Sequence, residues 1–164
     1  MVNHEKNKYK QEILINQIEG FVEYLNVEKN YALNTISSYK RDLLKFVSFL
    51  NNRGITNWVS IDSDAINIFV MELRHRSISA KSLKRYLSSI RVFFNYLIEN
   101  NIIQKNPALS VQTPKVERVL PKTIDFDDLR RMMSINTSSY KELRSVLVIE
   151  LLYSCGLRVS ELVG

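Results

Sequence analysis

With 164 residues, 45% of them hydrophobic, the chain is long enough for one full globular domain and a smaller second piece. No apolar run approaches the roughly 20 residues of a membrane span, and the charged opening MVNHEKNKYKQEILINQIEG is not a secretory signal. The lone Cys155 excludes an internal disulfide or cysteine-held metal cluster and fits a reducing cytoplasm, while the net charge of +6 asks for an anionic partner if that charge is concentrated.

Only four glycines and three prolines interrupt the chain, which points to a helical protein. Apolar spacing predicts a first helix over about residues 11–27, with Ile15, Ile18, Val22 and Leu25 on its buried face. A second is expected to start near Asn34 or Thr35, either of which can cap it, and to end at Gly54. Its apolar stripe reads Ile36, Tyr39, Leu43, Phe46, Val47 and Leu50. A third, capped by Asp62 or Ser63, carries Ile66, Phe69, Val70 and Leu73 toward Arg76.

The fourth helix, SAKSLKRYLSSIRVFFNYLIENN, holds the charge. At about 100° per residue, Leu83, Leu87, Ile90, Phe94 and Leu97 gather on one side and Lys81, Lys84, Arg85, Ser88 and Arg91 on the other. From Leu73 to Ile98 there is no acidic residue, against Arg74, Arg76, Lys81, Lys84, Arg85 and Arg91. A solvated face, a calmodulin-type or membrane-surface helix and a nucleic-acid surface all fit such a stripe. Nucleic acid is the better supported, because the hydroxyls of Ser79, Ser82, Ser88 and Ser89 interleave with the cations and can donate to phosphates.

Beyond it, KNPALSVQTPKVERVLPKTID contains all three prolines and no helical stripe, which reads as an extended linker. TIDFDDLRRMM is then a short capped helix, and SYKELRSVLVIELLYSCG a longer one closed by Gly156. Within it Tyr153 and Cys155 read as core. His4 and His75 are too far apart to suggest a metal site, and His75 reads as a surface histidine near a helix end. Arg158 falls at a corner between that helix and a following VSEL helix. Two readings of it are open: a planar fork for two oxygens of an oxyanion, or a structural ion pair with Glu161 one turn on.

LLYSCGLRVSELVG resembles the first catalytic-arginine motif of the tyrosine recombinases, in particular their Xer branch. ALNTISSYKRDLLKFVSFL is similar to that family's early core-binding helix. ISAKSLKRYLSSIRVFFNYL is similar to its later DNA-facing helix, and the NP turn and P-K…LP stretch to its linker. The resemblance implies an all-α protein: a four-helix-type, SAM-like core-binding domain over residues 1–112, a linker over 113–124, and the first helices of an incomplete catalytic domain over 125–164. It makes Arg158 the first catalytic arginine, with Glu161 and Gly156 in structural support. Lys81, Lys84, Arg85 and Arg91 are then expected on DNA, joined by Thr35, Ser38, Arg41 and Lys45 of the second helix and by Lys115 and Lys122 of the linker.

In that family a tyrosine attacks a DNA phosphodiester while arginines stabilise the charge on the phosphoryl oxygens, so neither metal nor other cofactor is implied. The family's hairpin lysine, His-x-x-Arg pair and nucleophilic tyrosine have no counterpart in these residues. Position 78, three after His75, is Ile78. The expectation is therefore the DNA-binding part of a cytoplasmic recombinase, a fragment inactive alone, whose partners are double-stranded DNA and fellow protomers in a tetramer. A truncated integrase that only binds DNA, or a helical protein-interaction domain with a basic face, are the alternatives.

Overall fold

The computed structural model describes residues 2–115, 123–134 and 139–164, with side chains from Ile13 onward; Lys122 lies outside the described residues. Every regular element among them is helical. The chain divides into two compact units, Met1–Glu117 and Arg118–Gly164, with the division inside the stretch expected to be linker.

The first unit is a four-helix bundle of α1 (Val2–Val27), α2 (Leu33–Asn52), α3 (Ser63–His75) and α4 (Ala80–Glu99). In α1 the buried face is Leu14, Ile18, Phe21 and Leu25, whereas Ile15 is exposed and Val22 half-buried. The expected stripe was thus out of phase at two of its four positions. Phe21 decides the phase, since its ring packs edge-on to Phe93 of α4 at 5.2 Å. Beside it α1 approaches α4 closely at Gly20, where an added Cβ would lie 2.8 Å from the Tyr96 hydroxyl.

The helix starts differ in how their free amides are satisfied. Ala32, not Asn34 or Thr35, is the cap residue of α2, and no side chain caps that end. Asp62 does cap α3, its Oδ1 accepting from the Ala65 amide at 2.8 Å. Ser79 caps α4, accepting from the Ser82 amide. The predicted apolar positions of α3 are all buried, and those of α4 are joined by Tyr86, Phe93 and Ser89. Trp58, between α2 and α3, is 2% exposed and meets Phe93 at 4.7 Å, so the connection itself fills the core.

Residues read as the start of an extended linker belong to this unit. Asn106 accepts from the Ala108 amide and opens a 3-10 turn over Pro107–Leu109, and Ala108 and Val111 are buried in the bundle core.

The second unit contains α5 (Phe126–Met133), α6 (Tyr140–Cys155) and α7 (Val159–Val163). Asp125 caps α5, and Ser139 with Glu142 forms a reciprocal capping box at the start of α6. Tyr153 and Cys155 are exposed, contrary to the core reading, as are Leu143, Leu147 and Leu151. The reason is local: α6 carries apolar side chains around most of its circumference, and within this unit α5 covers only part of them.

Candidate nucleic-acid interface

The basic face is built by α2 and α4 together. Lys81, Lys84, Arg41 and Lys45 are exposed, and none makes an ion pair with an acidic side chain among the described residues. Lys45 reaches across from α2 to lie 5.8 Å from the ring centre of Tyr86 on α4. Thr35 and Ser38 are half-buried on α2, and Lys115 is exposed beyond the 3-10 turn. By contrast Lys40, on the α1 side of α2, is tied to Glu19 at 2.7 Å.

Two of the expected DNA contacts have other occupations. Arg85 sits between the helices, its Nη1 2.9 Å from Oδ1 of Asp42 and 3.4 Å from the Ser38 carbonyl, with its side chain 37% exposed. Arg91 faces the chain beyond α4. Its Nε donates to the Ala108 carbonyl (3.0 Å), Nη1 to the Thr113 hydroxyl (2.9 Å) and Nη2 to the Val111 carbonyl (2.6 Å). Asn106 completes the clasp by donating to the Arg91 carbonyl and to Asn95. Arg91 therefore braces the bundle, with all three guanidinium nitrogens already engaged. Ser89, expected among the phosphate donors, is buried and donates to the Tyr86 carbonyl.

Asp42 carries no role that the sequence alone suggests. It is wholly buried at the α2–α4 seam, where the Arg85 guanidinium pairs with it at 2.9 Å in a geometry short of a well-aligned hydrogen bond. Burial pushes its carboxyl up from 3.8 to about 6, against the opposing pull of Arg85 and, more weakly, Lys45 and Arg41. A signal for it was present: Asp42 interrupts the apolar stripe between Tyr39 and Phe46 at the spacing of a buried position. Tyr39 beside it is also raised, first by its own burial.

In the second unit Gly156 ends α6 in the left-handed region at φ 62°, and Arg158 stands at the start of α7. The Glu161 carboxylate accepts from both the Arg158 backbone amide and its Nη1, each at 2.8 Å. Those two bonds, the backbone one first, hold the Glu161 carboxyl below its ordinary value. Glu161 thus fixes one edge of a guanidinium whose side chain is 81% exposed. The remaining donors of that guanidinium stay open at a defined place on the corner.

The family model described as phage integrase, N-terminal SAM-like domain, matches residues 18–101. The tyrosine recombinase XerC of Shigella flexneri serotype 5b (strain 8401) is 36% identical over 147 residues, which is 90% of this chain and 49% of the relative. XerC of Escherichia coli O157:H7 gives the same identity and coverage, and XerC of Shigella dysenteriae serotype 1 (strain Sd197) is 35% identical over the same span. The chain spans about half the length of the curated relatives it matches. Among the described residues no helix is long and apolar enough to cross a membrane, and no cluster of metal-ligating side chains occurs.

Proposed function

Because the chain belongs to the phage integrase family, and within it to the Xer-like tyrosine recombinases, we propose that its first unit grips double-stranded DNA for a site-specific recombinase. The observation that carries this reading is the joint α2–α4 surface, where Arg41, Lys45, Lys81 and Lys84 stand exposed without acidic partners among the described residues. Their ammonium and guanidinium groups meet backbone phosphates, and the half-buried hydroxyls of Thr35 and Ser38 add hydrogen bonds at the edge of the same surface. Lys115 and Lys122 extend the contact along the backbone. Phosphate contacts of this kind fix register and orientation on a duplex; they do not by themselves read bases.

In the second unit Arg158 stabilises charge on the phosphoryl oxygens of the scissile phosphate, held at its corner by Gly156 and Glu161. In the whole protein a tyrosine attacks that phosphate and forms a phosphotyrosyl link, and a 5′-hydroxyl of the second strand reverses it. Protomers assemble on DNA in the cytoplasm as a tetramer, to resolve chromosome dimers or to move a mobile element.

The test is binding of a rhodamine-labelled duplex measured by anisotropy against salt. The chain binds with an affinity that falls steeply with salt, and Lys81→Ala with Lys84→Ala weakens it and lowers the salt slope by about one for each phosphate no longer neutralised. Unchanged affinity of the double variant at low salt removes this face from the reading. Salt-independent or absent duplex binding would leave the basic face to an acidic protein partner.

A further inference from the structure

The Arg85–Asp42 pair places a buried acid directly behind the proposed DNA surface. Asp42 is wholly buried, whereas its partner Arg85 is a third exposed and lies on the same helix face as Lys81. Neither Asp42 oxygen receives a well-directed hydrogen bond among the described residues. The ionised carboxylate is therefore held chiefly by its ion pair with Arg85 at 2.9 Å, and that guanidinium charge is the one a DNA phosphate would compete for.

Resting on the DNA-binding reading above, we propose that Asp42 is a proton-linked positioning residue. Ionised, it holds the Arg85 guanidinium back against α2; protonated, it releases that guanidinium to a DNA phosphate, so that binding DNA and taking up a proton at Asp42 are coupled. The electrostatics favour this sign. An approaching polyanion disfavours a buried negative charge within reach of its phosphates, and the carboxyl already titrates near neutrality because burial raises it. By linkage, a group whose proton affinity rises on binding makes binding tighter as pH falls through its titration range. The charged and titratable groups facing Asp42 are Arg41, Lys45 and Tyr39 on α2 and Arg85 and Tyr86 on α4. Between α1 and α2 the charged pair is Glu19 with Lys40, each already the other's partner. Asp42 is the one carboxyl at the α2–α4 seam among the described residues, and burial raises it to about 6.

The experiment follows affinity for a rhodamine-labelled duplex from about pH 5.5 to about pH 8 at fixed salt, for the chain and for Asp42→Asn. An amide of the same shape stands in for the protonated acid. The unaltered chain should gain about tenfold in affinity toward acid, the gain expected if DNA raises the Asp42 titration by one pH unit, while Asp42→Asn stays nearly flat. At about pH 8 Asp42→Asn should bind as tightly as the unaltered chain does at about pH 5.5. Any titration away from this seam is common to both proteins and cancels in the comparison. The proposal is overturned if both show the same pH slope, or if Asp42→Asn binds more weakly at alkaline pH, which would mean that the ionised carboxylate presents Arg85 to DNA. A second readout does not depend on the variant folding: the Asp42 carboxyl carbon, titrated by NMR in the unaltered chain, moves its midpoint upward when duplex is added. A midpoint that DNA leaves in place overturns the coupling even where DNA binds. Absence of duplex binding at every pH is a different failure, that of the DNA-binding reading itself.

Discussion

Replacing Arg91 separates its role as a brace from a role on DNA. Its three guanidinium nitrogens hold the Ala108 and Val111 carbonyls and the Thr113 hydroxyl, and so fasten the 3-10 turn that buries Ala108 and Val111. A hydrogen bond from a charged donor contributes about 1.5–3 kcal/mol, and bonds sharing one side chain are not additive. Part of the loss is offset because carbonyls near the surface regain water. Arg91→Ala should therefore destabilise the bundle by about 2–4 kcal/mol, and Arg91→Lys should recover only a fraction, since one ammonium cannot span acceptors placed around a planar fork. Trp58 is the chain's single tryptophan and is buried in this unit, so its fluorescence during urea unfolding reports the bundle without the second unit. The paired measurement is the salt slope of duplex binding, which Arg91→Ala should leave unchanged. Unaltered stability together with a slope reduced by about one would refute the reasoning and put Arg91 on a phosphate.

Two further perturbations test the seam and the corner. The folded state holds the Asp42 proton up to about pH 6 and the unfolded chain releases it near 3.8, so the folded state binds more protons between those values. Stability should fall as pH rises through that window, by up to about 3 kcal/mol in full and by about 1.4 kcal/mol between about pH 5 and about pH 8, and Asp42→Asn should abolish the fall; urea unfolding at about pH 5 and about pH 8 checks it, and an equal change in both proteins would sink it. Gly156→Ala should cost about 1 kcal/mol of local stability, since φ is 62° and an added Cβ meets nothing within 4 Å, leaving only the backbone cost. Backbone chemical shifts over residues 159–163 should then lose their helical character, and a spectrum unchanged from the glycine form would show that the corner does not need the left-handed residue.

Periodicity alone located α2, α3 and α4 because each has one apolar face and few apolar residues off it. It misjudged α1 for a definite reason. Leu14 and Ile15, and again Phe21 and Val22, are adjacent apolar pairs, so two stripes about 100° apart both include Ile18 and Leu25. The larger ring chose between them, by packing on Phe93, and that partner is not visible along the sequence. Asp42 escaped because a carboxylate on an apolar stripe reads as an interruption until a cation from another helix is found beside it. Arg91 escaped by the same limit: which side of α4 faces solvent depends on where residues 106–113 fold back, and Pro107 with the prolines at 114 and 121 suggested that the stretch left the bundle. The Arg158–Glu161 contact was within reach of spacing, since it spans less than one helical turn.

The basic residues of α4 share a charge and have three different situations, which separates two effects of DNA binding that are commonly treated as one. Lys81 and Lys84 are exposed, and under the proposed DNA binding each phosphate they met would release counterions and set the salt slope. Arg85 has its charge opposed at 2.9 Å by Asp42, so its contribution depends on whether that acid is ionised. Arg91 donates to two carbonyls and a hydroxyl, none of which carries a charge, so its positive field persists although its hydrogen-bonding donors are engaged. Over the Debye length of about 10 Å that field still acts on an approaching duplex. Under the proposed DNA binding, Arg91 would then act in steering encounter, and Lys81 and Lys84 in holding the encountered strand. The association rate at low salt should respond to all of them, and the number of counterions released only to the second group.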